Sequence, residues 1–151
     1  MPKEAEILSI VSIQSNSGQW QAKGSATPFK ITSGAAKQRN LPAANSHGCA
    51  DHAEMRALTL VDAAQMNNVR LEQNAFPCEK CHPAMRAMSA AGSKITVVVT
   101  ANKGSYNLCH KISGLTVLDD TLPLTIVYEA GHASYDGTPA NLTDWSPYHQ
   151  S

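Results

Sequence analysis

His52, Glu54, Cys78 and Cys81 are the residues whose types and spacing could do chemistry in this chain of 151 residues. One imidazole and two thiolates make a soft donor set that suits zinc. Cys78 and Cys81 stand in Cys-x-x-Cys spacing, and on a helix such i, i+3 positions face the same way. A helix start favours negative charge and lowers thiol pKa, which helps to form the thiolates a metal needs. A closed structural zinc site uses four protein ligands, so three leave a position for water. Zinc brings the pKa of that water toward about 7. Glu54 follows His52 by two residues and would stand beside the metal without ligating it. There a carboxylate can take a proton from water and return it to a substrate.

Other readings compete for the same residues. Cys78-Glu79-Lys80-Cys81-His82 also spells a c-type haem attachment motif. That chemistry needs export, no basic start followed by an apolar stretch is visible, and Pro83 restricts the backbone of the would-be axial His82. His47, Cys49, Cys109 and His110 could complete a structural zinc site, but Cys49 and Cys109 read better as small buried residues. On that reading His47 lines the pocket mouth, and His132 and His149 lie on the surface. A purely structural zinc would not need Glu54.

Several elements must position these groups. Residues 7–13 are rich in β-branched side chains and read as a strand. Asn16-Ser17-Gly18 is a turn signal, and residues 20–23 are the returning hairpin strand. Residues 24–46 read as a long loop with room for a short helix. Asp51 is the expected N-cap of a helix over 52–65, with Ala57, Leu60, Val61 and Ala64 on its buried face and Arg56, Thr59 and Asp62 on a narrow polar stripe. Residues 71–76 form a strand candidate. Pro77 is expected to open a second helix that runs to residue 91 and stops at Gly92, with Ala84, Ala87, Met88 and Ala91 inward. The methionines read as core. Residues 95–100 and 124–129 are strands of the kind that helices cover on their faces. Residues 102–113 read as a short helix and 115–118 as a weak strand. From Gly131 onward the chain reads as a tail, either mobile or pinned through Trp145 and Tyr148. Strands alternating with buried helices indicate one α/β domain over 1–151.

His52-Ala53-Glu54 followed by Pro77-Cys78-Glu79-Lys80-Cys81 resembles the zinc-dependent cytidine-deaminase-like superfamily, over a core of about residues 45–100. The resemblance implies a three-layer αβα fold, a mixed central sheet of about five strands and two motif helices packed on it. It implies zinc on His52, Cys78 and Cys81, and Glu54 as proton shuttle. The backbone N–H of Ala53 would donate to the base carbonyl, and Asn45 would contact the sugar. Phe76 and His47, with Asn102 and Tyr106, complete the expected substrate-binding set. The implied reaction is hydrolytic deamination of cytosine, adenine or guanine, in a polynucleotide or as free nucleoside, nucleotide or base.

Composition bears on that choice. The formal net charge is zero, yet all 12 Lys and Arg fall in residues 1–118, with seven of the 12 acids. Residues 7–50 contain no acid but carry Lys23, Lys30, Lys37 and Arg39. Such a stretch can track phosphates. Residues 101–107 offer Tyr106 for base stacking and Lys103 as a cation. Nucleic acid, with single-stranded DNA first, is therefore the expected partner; a free-nucleoside enzyme would need no basic surface. The layout of hairpin, long loop and motif helix also resembles the deaminase domains of bacterial polymorphic toxins. That likeness implies an immunity protein as partner and action in a target cell's cytoplasm. No apolar run approaches the roughly 18 residues of a membrane span, so no membrane partner and a cytoplasmic location are expected.

Overall fold

The computed structural model describes residues 7–27, 30–34, 41–46, 48–74, 77, 80–100, 107–112, 115–117, 124–135, 138–140 and 145–148. The main element is a mixed sheet of eight strands in the order β10-β9-β8-β5-β4-β1-β2-β3. Its members are β1 (Ser9–Gln14), β2 (Trp20–Ala26), β3 (Ile31–Ser33), β4 (Val69–Gln73), β5 (Lys94–Val99), β8 (Leu124–Glu129), β9 (His132–Tyr135) and β10 (Thr138–Ala140). The sheet is wider than the expected five strands because β3 extends it beyond β2 and the β9–β10 hairpin extends it beyond β8. The β1–β2 hairpin turns at Gly18, whose φ of 87° lies in the left-handed region that glycine tolerates. At the other end β9 and β10 fold back from β8 within the segment read as a tail.

A second sheet of three strands holds β6 (Asn107–Ile112), β7 (Leu115–Val117) and β11 (Trp145–Tyr148). The short helix expected over 102–113 is thus a strand where it is described. The β-branched Ile112, Thr116 and Val117 in the β6–β7 pairing suit an extended ladder better than a helix. Trp145 and Tyr148 are tied down through backbone pairing with His110 and Asn107.

Side chains alternate strictly along β4 and β5, whereas in β1 a register shift after Val11 leaves Ser12 buried as well. Val11, Leu71, Val97 and Ile126 are in register across β1, β4, β5 and β8, and all four are fully buried. Their neighbours on the other face, such as Glu72 and Val98, remain exposed or half-exposed. Helices α1 (Pro42–Ser46), α2 (Ala53–Leu58) and α3 (Cys81–Ala90) share one apolar core with the buried face. Among the described residues the helices therefore cover one face, not both. Four of the five methionines, Met55, Met66, Met85 and Met88, are in that core.

The two motif helices are shorter than their hydrophobic periodicity indicates. In α2 the hydroxyl of Thr59 donates to the carbonyl of Arg56 at 2.6 Å, and the next amides bond three residues back instead of four: Leu60 N to Ala57 O at 3.0 Å and Val61 N to Leu58 O at 3.5 Å. A β-branched residue with a competing hydroxyl ends a helix in this way. Asp62 and Gln65 then form a capping box that opens a separate 3₁₀ turn, Ala63–Asn67. In α3 the start moves from Pro77 to Cys81. A helix opened at Pro77 would place Pro83 in its interior, where the ring meets the carbonyl four residues back. Beginning at Cys81 puts Pro83 in the first turn, where N–H groups have no helical partner. The inward face is also rotated from the expected one: Cys81, His82, Ala84, Met85, Met88 and Ser89 are buried, while Ala87 and Ala91 are exposed. The end falls as expected, with Gly92 at φ 118°.

Strands β4 and β5 are the parallel pair of the main sheet, joined through α3. Parallel strands need such a crossover. It brings the C-terminal ends of β4 and β5 and the start of α3 to one edge, where α/β sheets form their crevices. β1 runs antiparallel to β4, so its first residue, Ser9, pairs with Gln73, the last of β4. No helix among the described residues is long and apolar enough to cross a membrane.

Candidate metal centre

His52 caps α2 with an extended backbone, φ −75° and ψ 154°, and without a side-chain cap bond. The expected cap, Asp51, instead pairs with Arg56 at 3.6 Å on the surface. Because the imidazole lies outside the helix, it can reach the neighbouring element: His52 Nδ1 is 3.2 Å from Cys81 Sγ. Glu54 follows in the first turn of α2 and is 5% exposed. One ligand atom from each of His52, Glu54 and Cys81 lies within 4.8 Å of the others.

The donor set fits a metal ion. With zinc–sulfur and zinc–nitrogen bonds of about 2.3 and 2.0–2.1 Å, two ligands of a tetrahedral zinc stand about 3.5 Å apart. The His52–Cys81 separation of 3.2 Å is close to that without a large movement. Cys81 is a fully buried free thiol, and its place at a helix start and beside a metal would favour the thiolate that burial alone disfavours.

Further groups brace the centre. The Cys49 thiol is fully buried and donates to the carbonyl of Lys80 at 3.7 Å, just before Cys81. Its backbone carbonyl accepts from His52 N at 3.0 Å. Cys49 thus joins the approaches to two of the candidate ligands, beyond the small buried role expected for it. His82 is turned away from haem-type use. It is 1% exposed, its Nδ1 lies 2.6 Å from the Tyr128 hydroxyl, and the two rings meet edge to face with centroids 5.2 Å apart. Burial, with Arg86 nearby as a lesser cause, lowers its pKa to about 3, so it is a neutral core group at neutral pH.

Of the residues expected from the sequence, the structure brings together His52, Glu54 and Cys81. Ala53 is buried as the first residue of α2, and Asn45 is exposed near the end of α1. Cys78, His47, Phe76, Asn102 and Tyr106 lie outside the described residues, as does His149. His132 is on the surface as expected. For Cys109 and His110 the backbone strand is described, and their side chains are not.

Gln73 joins the site without belonging to the motif. It is 2% exposed, and its Nε2 donates to Glu54 Oε2 at 3.2 Å. A signal for it is present in the sequence: Val69, Leu71 and Gln73 share one strand face, so a polar residue occupies a slot where period two demands an apolar one. Comparison of the chain with family models, with curated proteins and with solved structures finds no match.

Proposed function

We propose that this protein is a zinc-dependent hydrolytic deaminase of a nucleobase, acting on cytosine in nucleic acid. The observation that carries the reading is the meeting of His52, Glu54 and Cys81 at two adjacent helix starts. Their order along the chain, with Cys78 three residues before Cys81, is that of the resembling deaminase motif. His52 and Cys81 hold the metal, and Cys78 supplies the third ligand. When bound, zinc contributes Lewis acidity that makes hydroxide available near neutral pH. Glu54 takes a proton from the attacking water and returns protons to the ring nitrogen and the departing amino group. The C4–N bond breaks, ammonia leaves and the base carbonyl forms. Burial of Glu54 keeps bulk water from competing for those protons.

The choice of a polynucleotide is supported by the acid-free stretch 7–50 and by the exposure of Lys23 and Lys30 within it. Delivery as a bacterial effector domain with an immunity protein rests on the likeness of layout. The test is incubation of zinc-loaded protein with a cytosine-containing single-stranded oligonucleotide and, separately, with free cytidine. A gain of about 1 Da in the oligonucleotide, absent with Glu54→Gln, is the expected result. A gain in cytidine alone would move the substrate to free nucleosides. No gain in a cytosine, adenine or guanine substrate would refute deamination.

A further inference from the structure

We propose that Gln73, itself held by Ser9, is the positioning residue for the Glu54 carboxylate; this rests on the deaminase reading above. Three side chains far apart in sequence meet in one buried line. Ser9 Oγ donates to Gln73 Oε1 at 3.3 Å, and Gln73 Nε2 donates to Glu54 Oε2 at 3.2 Å. Ser9 is fully buried, Gln73 is 2% exposed and Glu54 is 5% exposed. The chemistry sets the direction of the chain of bonds. The amide turns its NH₂ group toward Glu54, the arrangement that a carboxylate serving as proton acceptor needs. That leaves its oxygen toward β1, where the Ser9 hydroxyl donates. A flipped amide would put two acceptors face to face at one end.

The backbone under Gln73 is equally constrained. It ends β4 between two strands, paired with Ser9 of β1 and with Val99 of β5. Its carbonyl accepts from Thr100 N at 2.8 Å and from Thr100 Oγ1 at 3.2 Å. Glu54, by contrast, sits on a helix of six residues, and a glutamate has several side-chain torsions to fix. A proton shuttle must be held where it can serve both the water and the base. The end of this interior strand provides a rigid strut for this, and Gln73 reaches from it to the carboxylate. An apolar residue would fill the same slot in the core without reaching Glu54.

The test uses the full zinc-loaded protein. Gln73→Leu should keep its zinc and its fold, lower kcat by roughly 10- to 100-fold, and leave KM within about threefold, because alignment is lost and substrate binding is not. Ser9→Ala should lower kcat in the same direction by less. Should Gln73→Leu fail to fold, Gln73→Met, of similar volume, and Ser9→Ala carry the test. A second readout does not depend on turnover: the side-chain amide resonances of ¹⁵N-labelled Gln73 should shift when Glu54→Ala removes their acceptor. Wild-type kcat in Gln73→Leu, or amide resonances indifferent to Glu54→Ala, would overturn the role of Gln73. Wild-type protein that turns over no nucleobase would instead overturn the deaminase reading, and the amide resonances would still decide whether Gln73 holds Glu54.

Discussion

Charging His82 inside this fold means placing an imidazolium in a site that is 1% exposed and already faced by the Tyr128 ring. Its folded pKa of about 3 lies below the ordinary 6.5, first through burial and then through the positive charge of Arg86. In the unfolded chain His82 takes up a proton as pH falls through 6.5, while in the folded protein it stays neutral until about pH 3. Between those values the unfolded state binds more protons, so stability falls as pH falls. Above 6.5 both states are neutral and His82 adds no pH dependence. Within the window the loss runs at about 1.4 kcal/mol per pH unit, which integrates to about 2 kcal/mol at pH 5. With a urea slope of roughly 2 kcal/mol/M, the unfolding midpoint should drop by about 1 M between about pH 7.5 and pH 5 from this residue alone. The assay is urea unfolding followed by far-ultraviolet circular dichroism, with wild type and His82→Asn run in parallel at several pH values. Asn does not titrate and still offers Tyr128 a hydrogen-bond partner, so the difference between the two proteins isolates the histidine from other acid-sensitive groups. Wild type should lose its advantage over the variant as pH falls. A difference that stays constant across that pH range would refute the neutral, buried assignment.

Three further outcomes follow from the geometry. Cys81→Ala should abolish stoichiometric zinc binding, and the increase in melting temperature that zinc produces in the wild type should vanish with it; at about 100 times Kd that stabilisation is about 2.7 kcal/mol. Calorimetry with and without added zinc reads it. Gly24→Ala should destabilise the fold by at least roughly 1–3 kcal/mol. Gly24 has φ 150°, and a Cβ there would meet Ser33 O at 2.6 Å and Leu60 Cδ1 at 2.7 Å; an unchanged thermal midpoint would contradict this. Replacing both exposed Lys23 and Lys30 with Ala should reduce the slope of log affinity for single-stranded DNA against log salt by about 0.7 for each phosphate that is no longer neutralised. Fluorescence anisotropy over a salt series measures it, and an unchanged slope would exclude this face as the phosphate track.

The residue types and their order determine the ligand candidates without reference to the fold. A histidine, a glutamate and a Cys-x-x-Cys limit the chemistry because few donor sets polarise water, and that limitation is local to the side chains. Periodicity likewise locates the central strands, since alternation of apolar residues is written along each segment; β8 is legible to the residue. Helix ends are less legible. The hydroxyl of Thr59 and the ring of Pro83 override an apolar pattern that alone would extend both helices. The β1–β2 hairpin is legible from its local turn signal, but the face that helices leave uncovered and the pairing of β11 with β6 depend on which distant strands meet, and that is a non-local choice. The same holds for the line from Ser9 through Gln73 to Glu54. Glu54 is marked by its motif and Gln73 by its polar place on an apolar strand face, but nothing local in any of the three segments names its partner. Only the register of β1 with β4, and the docking of α2 against both, turns them into one buried chain of hydrogen bonds, because partners 64 and 19 residues apart are brought together by the sheet and not by the sequence between them.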